Sequence, residues 1–266
     1  MRDMNRLVGS ADILLMTFDA LRYDVAASTY EAGRTPFLAE LLPDGWEARH
    51  TPGNFTLAAH AAFFAGFFPT PVHEYAAPRP FALKFPGSRS VSPNTCVLEG
   101  ATIVEGLHAR GYHSICIGGV GFFNKRTPLG QMFSSQFAES YWHPKLGVTH
   151  PASTEHQVQL AVERLEQAPR QPVFLFVNLS ALHAPTHFYL PGARAESVES
   201  QAAALEYVDR QLPPLFAALR RRGRPGVAFL MSDHGTAFGE DGYRGHRLAH
   251  PVVWTVPYGE YFWEVP

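Results

Sequence analysis

Side chains that bind divalent metals follow three short apolar runs of the chain. Asp19 follows DILLMTF, His183 comes soon after VFLFVN, and Asp233 and His234 come soon after VAFLM. Each run predicts a buried strand of a parallel sheet, because such strands are apolar on both faces. In open α/β sheets the carboxyl ends of the strands form the ligand-binding edge. Carboxylates and imidazoles gathered at that edge are suited to zinc or manganese.

Three further residues extend this set. His246 lies twelve residues after His234, and the chain between them holds four glycines and can fold back on itself. Thr56 stands at the predicted start of a helix, where free backbone N–H groups favour an anion. Its hydroxyl could act as a nucleophile if a metal ion lowered its pKa. Arg22 follows Asp19 closely and could orient that carboxylate or hold an anion.

Simpler roles are open for each of these residues. Asp19 and Thr56 could each cap a helix. The glycine-rich segment after Asp233 could be a histidine-rich loop without a function, and its two acids, Glu240 and Asp241, are predicted to be solvated charges. Ligand-type residues at three separate strand ends favour a metal site over these alternatives.

Strands alternate with helices along the whole sequence. Strands are predicted over 12–18, 113–118, 173–178 and 227–231, an edge strand over 252–255, and helices over 37–42, 58–64, 102–111, 153–167 and 199–221, the last interrupted at Pro213-Pro214. This alternation predicts an α/β protein with a mostly parallel central sheet and helices on both faces, which is a three-layer α/β/α sandwich.

Composition excludes several classes of protein. The 266 residues carry a net charge of −2, so no basic surface that would attract nucleic acid is expected. Two cysteines cannot build a disulfide framework, and no apolar stretch reaches the roughly 18 residues of a membrane span. The N-terminus lacks the features of a signal peptide, which predicts a cytoplasmic protein.

The ordered motifs resemble the alkaline phosphatase superfamily, in its sulfatase-like and phosphoethanolamine-transferase-like branches. TFDALRYD is similar to the opening Asp-x-x-Arg-x-Asp, and TLAAHAAFFAGFFPT resembles the nucleophile helix, in which a glycine follows the nucleophile by ten residues, as Gly66 follows Thr56. His183-Ala-Pro resembles a His-x-Pro motif, and SDHG with the later Gly-His at 245–246 resembles the closing motif. The resemblance implies one alkaline-phosphatase-like catalytic domain over residues 1–266.

The resemblance also implies roles for individual residues. Two metal sites are implied, with Asp19, Thr56, Asp233 and His234 at the first and His183 and His246 at the second. Thr56 would attack phosphorus and form a covalent phospho-threonine. His60 would contact the leaving group or a phosphate oxygen, and Arg22 would join the catalytic residues.

Two departures from the family pattern qualify these roles. Sulfatases need a Cys or Ser that is oxidised to formylglycine, and Thr56 cannot give that aldehyde, which disfavours hydrolysis of sulfate esters. The acid that many two-metal members carry near His183 is missing, since Leu179 or Ser180 stands near its place. His187 or His250 could substitute, or the second metal could be weakly bound.

The sequence therefore predicts a metal-dependent hydrolase of phosphoric esters, either a phosphodiesterase or a phosphatase. Its cofactor is expected to be one or two divalent ions, zinc first and manganese second, and its partner a small-molecule phosphoester. The alternatives are a phosphotransferase acting on a small-molecule acceptor, a sulfatase-like hydrolase, and a non-catalytic member that binds an anion or a partner. The sequence leaves the oligomeric state open.

Overall fold

A mostly parallel sheet of seven strands forms the centre of the molecule. The structure is a computed structural model that describes residues 3–66, 81–82, 96–97 and 101–265. The strands within these ranges are β1 (Asp12–Phe18), β2 (Glu47–His50), β3 (Phe81–Ala82), β4 (Cys96–Val97), β5 (His113–Ile117), β6 (Glu139–Tyr141), β7 (Val173–Leu179), β8 (Gly226–Met231), β9 (Ala237–Phe238), β10 (Arg244–Gly245) and β11 (Thr255–Trp263). The sheet order is β2-β11-β8-β1-β7-β5-β6, and β11 is the strand that runs opposite to the other six.

Helices cover both faces of this sheet. The α-helices of the described chain are α1 (Tyr23–Glu31), α2 (Pro36–Leu41), α3 (Thr56–Ala65), α4 (Ile103–Ala109), α5 (Pro128–Gln131), α6 (Ser153–Gln167), α7 (Val198–Gln211), α8 (Pro213–Arg221) and α9 (Pro251–Trp254). Side chains alternate along a strand, so Leu14 and Met16 of β1 pack with α1, α2, α6, α7 and α8, whereas Ile13 and Leu15 pack with α3 and α4. The predicted three-layer α/β/α sandwich is confirmed.

The four buried strands predicted from apolar runs are all present, and they set the position of the polar residues. β1 lies between β7 and β8, with Phe18 opposite Leu179 and Thr17 opposite Met231. The carboxyl ends of these three strands therefore meet at one edge of the sheet, as expected. Among the described residues, no helix is long and apolar enough to cross a membrane.

The C-terminal segment differs from its prediction. The edge strand predicted over 252–255 is wrong: Pro251–Trp254 forms α9, and the strand that follows is β11, which lies inside the sheet between β8 and β2. Pro251 suits the first position of a helix, and the ring of His250 accepts a hydrogen bond from the backbone N–H of Val252 at 3.3 Å. The solvent-exposed edge strand is β2 instead.

The predicted interruption of the helix over 199–221 is confirmed. α7 ends at Gln211 and α8 begins at Pro213, because two consecutive prolines cannot donate the backbone hydrogen bonds that would continue α7. The helix predicted over 58–64 is α3, and it ends at Gly66, whose φ of 75° is left-handed. That residues 1–266 form a single catalytic domain stays a prediction.

Candidate metal centre

Two carboxylates and one imidazole converge at the carboxyl edge of the sheet. One ligand atom from each of Asp19, Asp233 and His234 lies within 4.8 Å of the other two, and all three residues are fully buried. The Nε2 atom of His234 is 3.8 Å from Oδ1 of Asp19 and 3.6 Å from Oδ2 of Asp233. β1 and β8 lie side by side and deliver these residues, so the structure brings together three of the predicted ligands.

The carboxylates each expose one unpaired oxygen to this centre. Oδ2 of Asp19 accepts from Nδ2 of Asn178 at 3.1 Å, and Oδ1 of Asp233 accepts backbone N–H groups of Ala20 and His234, both at 3.1 Å. Within the described chain, Oδ1 of Asp19 and Oδ2 of Asp233 are buried without a hydrogen-bond partner. Burying unpaired carboxylate oxygens is costly. A divalent cation between them removes that cost, so the residues fit a metal ion.

The imidazole ring of His234 is oriented so that it can also bind a metal ion. Its Nδ1 lies 2.9 Å from the backbone oxygen of Gly235, which can only accept, so Nδ1 carries the hydrogen and Nε2 presents a lone pair to the two carboxylates. The chain can pass here only because residue 235 is glycine. A Cβ at that position would lie 1.9 Å from the backbone oxygen of Val252. The glycine of the SDHG motif thus lets α9 pack directly behind the centre.

Thr56 lies next to this group. Its Oγ1 is 3.4 Å from Nε2 of His234, and the side chain is buried. The N-cap of α3 is Phe55, and Thr56 is the first residue of the helix. Asp19 is not a cap either, because α1 begins after Arg22. The capping roles that the sequence left open for Asp19 and Thr56 are therefore not what the structure shows.

Burial dominates the electrostatics of the centre. It raises the pKa of Asp19 to about 6, with the charge of Asp233 adding to the effect, and it raises the pKa of Asp233 to about 7. Burial lowers the pKa of His234, which keeps the imidazole neutral. Protons therefore compete with a cation for the two carboxylates near neutral pH.

His183 and His246 border the centre without completing a second group of the same kind. The ring of His246 lies 4.5 Å from that of His234 and 5.5 Å from that of His183, measured between centroids. Burial and the charge of His234 lower the pKa of His246 to about 3. In the part of the chain that the structure describes, Asp19, Asp233 and His234 are the only residues grouped at metal-ligand distances.

A cleft of about 690 Å³ lies beside the centre, and Thr56 belongs to its wall. Thr56, His183 and His246 contribute polar atoms to its wall, and Arg247 contributes a cation. The rest of the lining is largely apolar and contains Val120, Phe122, Leu129 and Val148, with Asn124 and Thr127 among them. Such a cleft can hold a charged group beside its polar residues and an apolar group against its apolar residues.

His60 lies in the core rather than in the cleft. Its Nδ1 is 2.8 Å from the backbone oxygen of Thr56, and its Nε2 is 3.1 Å from Oγ1 of Thr17. The ring is fully buried among phenylalanines, including Phe123 and Phe176, and burial lowers its pKa to about 3. The expected contact of His60 with a leaving group or a phosphate oxygen is therefore corrected: both ring nitrogens have partners inside the protein.

Arg22 is committed to ion pairs. Its guanidinium binds Asp24 with N–O distances of 2.8 and 2.5 Å, and it also pairs with Glu240. Burial alone would raise the pKa of Glu240, but hydrogen bonds from Arg22 and from nearby backbone N–H groups hold it at about 2. The prediction that Glu240 is solvated is wrong. Through its ion pair with Glu240, Arg22 holds the loop that leads to His246 in place. The structure does not place Arg22 in the metal centre.

The two histidines considered as substitutes for the missing acid near His183 do not lie in the metal centre. Nδ1 of His187 pairs with Glu196 at 2.7 Å. Nε2 of His250 pairs with Asp241 at 3.1 Å, and its Nδ1 accepts from the backbone of α9. Neither histidine is grouped with the metal centre. Asn178, by contrast, received no role from the sequence, although it is the one polar side chain in the otherwise apolar run of β7.

The chain matches a protein-family model, and its fold is similar to that of many solved structures. The sulfatase family model matches residues 11–258, and no curated protein matches the chain. The C-terminal periplasmic domain of phosphoethanolamine transferase EptC from Campylobacter jejuni has a TM-score of 0.63 and 14% identity, covering 95% of this chain and 79% of that one. The Escherichia coli EptC domain in complex with Zn has a TM-score of 0.65 and 13% identity, covering 96% and 73%.

A third similar structure is the soluble domain of lipooligosaccharide phosphoethanolamine transferase A from Neisseria meningitidis. It has a TM-score of 0.67 and 14% identity, covering 96% of this chain and 77% of that one. These likenesses confirm the fold. Both EptC domains are periplasmic, and this finding overturns the expected cytoplasmic location, which is wrong. Sulfatase-family domains are of the sulfuryl- and phosphoryl-transfer kind. Since the model match spans most of the chain, the protein belongs to the sulfatase family.

Proposed function

We propose that the protein is a metal-dependent hydrolase of small phosphoric esters in which Thr56 is the nucleophile. The observation that carries this proposal is the hydroxyl of Thr56 lying 3.4 Å from Nε2 of His234, at the wall of an open cleft. Asp19, Asp233 and His234, with Thr56, would hold the ion, and zinc is supported by the zinc complex of the similar EptC domain. A bound divalent ion would supply positive charge that lowers the pKa of a hydroxyl and offsets phosphate charge.

In the proposed reaction, Oγ1 of Thr56 attacks phosphorus. The new Oγ1–P bond forms as the P–O bond to the leaving alcohol breaks, the Thr56 proton passes to water in the cleft, and the departing alkoxide takes a proton from solvent. Water then attacks the phospho-threonine, releases phosphate or a phosphomonoester, and returns the hydroxyl to Thr56. The start of α3 favours the negative charge because its first backbone N–H groups are free.

Transfer to an alcohol in place of water is the second candidate. It is favoured by the fold likeness to phosphoethanolamine transferases and to the lipoteichoic acid synthase LtaP from Listeria monocytogenes. The apolar wall of the cleft, with Phe122 and Leu129, offers a surface for an acceptor that carries an apolar group. We infer from the periplasmic neighbours that the chain works outside the cytoplasm.

The test is turnover of bis-p-nitrophenyl phosphate and p-nitrophenyl phosphate by the zinc-loaded protein, with acid quenching and mass spectrometry of the α3 peptide. Thr56→Ala should lose at least about 10³-fold in kcat, since removal of a nucleophile abolishes the covalent step. Thr56→Ser should retain turnover and trap a phosphoryl group on residue 56. Thr29→Ala, a buried threonine of α1, is the control. Full turnover by Thr56→Ala would refute the mechanism, and a better yield with added alcohols would favour transfer.

A further inference from the structure

A chain of hydrogen bonds behind the metal centre joins Asp19 to the backbone of Thr56. Nδ2 of Asn178 donates to Oδ2 of Asp19 and to Oγ1 of Thr17, both at 3.1 Å. Oγ1 of Thr17 lies 3.1 Å from Nε2 of His60, whose Nδ1 lies 2.8 Å from the backbone oxygen of Thr56. Thr17, His60 and Asn178 are fully buried, so water cannot substitute for any of these partners.

The direction of every hydrogen bond in this chain is fixed. The Thr56 carbonyl can only accept, so Nδ1 of His60 must donate to it. Nε2 of the neutral imidazole then accepts the hydroxyl proton of Thr17, and the Thr17 oxygen accepts one N–H of the Asn178 amide. The second N–H of that amide is left for the carboxylate of Asp19. Only the Nδ1–H tautomer of His60 satisfies all of these groups.

The amide of Asn178 is held at its other end as well. Its Oδ1 accepts the backbone N–H of Val120 at 3.1 Å, and its backbone oxygen accepts Nε2 of Gln157 at 2.6 Å. The loop beside it packs so closely that a Cβ at Gly119 would lie 2.4 Å from the backbone oxygen of Asn178 and 3.0 Å from its Oδ1. Val120 also lines the cleft, so the amide ties the cleft wall to the ligand Asp19.

We propose that Asn178, Thr17 and His60 are positioning residues. The Asn178 amide turns Asp19 so that its unpaired oxygen faces the ion. Thr17 and His60 hold Thr56 at a fixed position relative to Asp19. The inference rests on the proposed function for the part that concerns Thr56. The part that concerns Asp19 requires only that the centre binds a metal. None of the three side chains lines the cleft: Asn178 acts through the metal ligand Asp19, and Thr17 and His60 act through Thr56.

The tautomer of His60 is the first test, because it needs neither metal nor substrate. We expect ¹⁵N NMR of the imidazole groups in the metal-free protein to show His60 with its proton on Nδ1. Thr17→Val replaces the hydroxyl by a methyl group and keeps the volume of the side chain. The Nε2 signal of His60 should therefore shift, because Nε2 loses the hydroxyl that donates a hydrogen bond to it. A proton on Nε2 in the wild type would overturn the proposed polarity and the network with it.

Zinc affinity tests the link to Asp19. Asn178→Leu should weaken zinc binding by about 10- to 100-fold, the usual effect of losing a partner of a metal ligand, in a competition titration with a chromogenic chelator. Thr17→Val should leave zinc affinity within about twofold, because the bond between Asn178 and Asp19 remains. Unchanged zinc affinity in folded Asn178→Leu would overturn the assignment. Should that variant not fold, Asn178→Asp tests the same contact, because it replaces the donor by a second carboxylate oxygen.

Turnover at saturating zinc tests the link to Thr56. Thr17→Val should lower kcat by about tenfold with little change in KM, and Thr17→Ser, which keeps the hydroxyl, should recover most of that loss. Thr29→Val is the matched control, because it removes a buried threonine hydroxyl from α1. An equal loss in Thr29→Val, or none in Thr17→Val, would overturn the anchoring role. Failure of the proposed function would appear separately, as a wild type that binds zinc but cleaves no phosphoester.

Discussion

Nε2 of His234 lies 3.4 Å from Oγ1 of Thr56, although the two residues are 178 positions apart in the chain. The contact brings the first residue of α3 to the end of β8, beside carboxylate oxygens that have no other partner among the described residues. A hydroxyl, an imidazole and two carboxylates are ligand types that suit a divalent metal ion. The predictions below concern how this set depends on protons, on its surroundings and on its own members.

Zinc binding should depend steeply on pH. Burial raises the pKa of Asp19 to about 6 and that of Asp233 to about 7, so both carboxyls take up protons as the pH falls from 8 toward 5. Each proton that zinc must displace costs up to about tenfold in affinity per pH unit below the pKa. The rise in Tm produced by a fixed zinc concentration should therefore be large at pH 8 and small at pH 5.5.

The metal-free protein should show the opposite dependence on pH. A carboxyl whose pKa is raised on folding favours the native state fully only below its ordinary value of 3.8, and this contribution is lost as the pH rises from there through about 6 to 7. Zinc should reverse the trend by replacing the protons. Equal Tm shifts from zinc at pH 5.5 and pH 8 would contradict the assignment of these two carboxylates as ligands.

The pair between Arg22 and Glu240 should stabilise the fold in a pH window of its own. The pKa of Glu240 is held at about 2, below its ordinary value of 4.5, so the pair contributes above 4.5 and the contribution declines as the pH falls toward 2. Glu240→Gln should lower the free energy of unfolding at pH 7, and urea titrations should show a smaller difference from the wild type at pH 3.5. Glu163→Gln, on the exposed side of α6, should show no such pH dependence.

Two glycine substitutions should act in opposite directions. Gly106 lies inside α4 with open space around it, so Gly106→Ala should stabilise the protein by about 1 kcal/mol through helix propensity. Gly235→Ala would place a Cβ 1.9 Å from the backbone oxygen of Val252 and should cost about 1–3 kcal/mol or more. Chemical denaturation of both variants checks the pair. A neutral Gly235→Ala would contradict the close packing of α9 behind His234.

Arg247 should contribute to substrate binding more than to chemistry. It lines the cleft, its guanidinium lies 5.2 Å from the ring centre of Phe55, and no described carboxylate forms an ion pair with it. Arg247→Ala should raise KM for a phosphoester several-fold while kcat changes less, the pattern of an interaction made in ground state and transition state alike. Arg220→Ala is the control, since Arg220 lies over Tyr261 on the far side of the sheet. Unchanged KM would remove Arg247 from the binding site.

The sequence predicted that Asp19, Asp233 and His234 meet at one edge of the sheet, because the signals for this are local. An apolar run such as DILLMTF defines a buried strand wherever its partners lie, and the residue after it must then stand at the carboxyl edge. Asp19 and Asp233 could be placed together for this reason. Thr56 is likewise a candidate from local sequence, because it stands at a helix start, where backbone N–H groups favour an anion.

The errors concern contacts between distant parts of the chain. His60 is one helical turn from Thr56, but its place in the core depends on phenylalanines of other elements, which no local spacing reveals. Glu240 meets Arg22 across 218 positions. The antiparallel strand β11 is defined by its pairing with β8 and β2, whereas the local sequence around Pro251 favours a helix. Asn178 is a polar residue near the end of an apolar run, and only the fold shows its hydrogen bonds to Thr17, Asp19 and Val120.

The most direct test of the metal centre is the zinc content of purified, zinc-loaded and desalted protein, measured by elemental analysis in the wild type and in Asp233→Asn. Asp209→Asn is the control, because Asp209 is also a buried carboxylate but accepts backbone N–H groups of Phe37 and Leu38. We predict at least one zinc per chain in the wild type and in Asp209→Asn, and a loss of zinc in Asp233→Asn. Retention of the same zinc in all three proteins, or none in the wild type, would contradict the account.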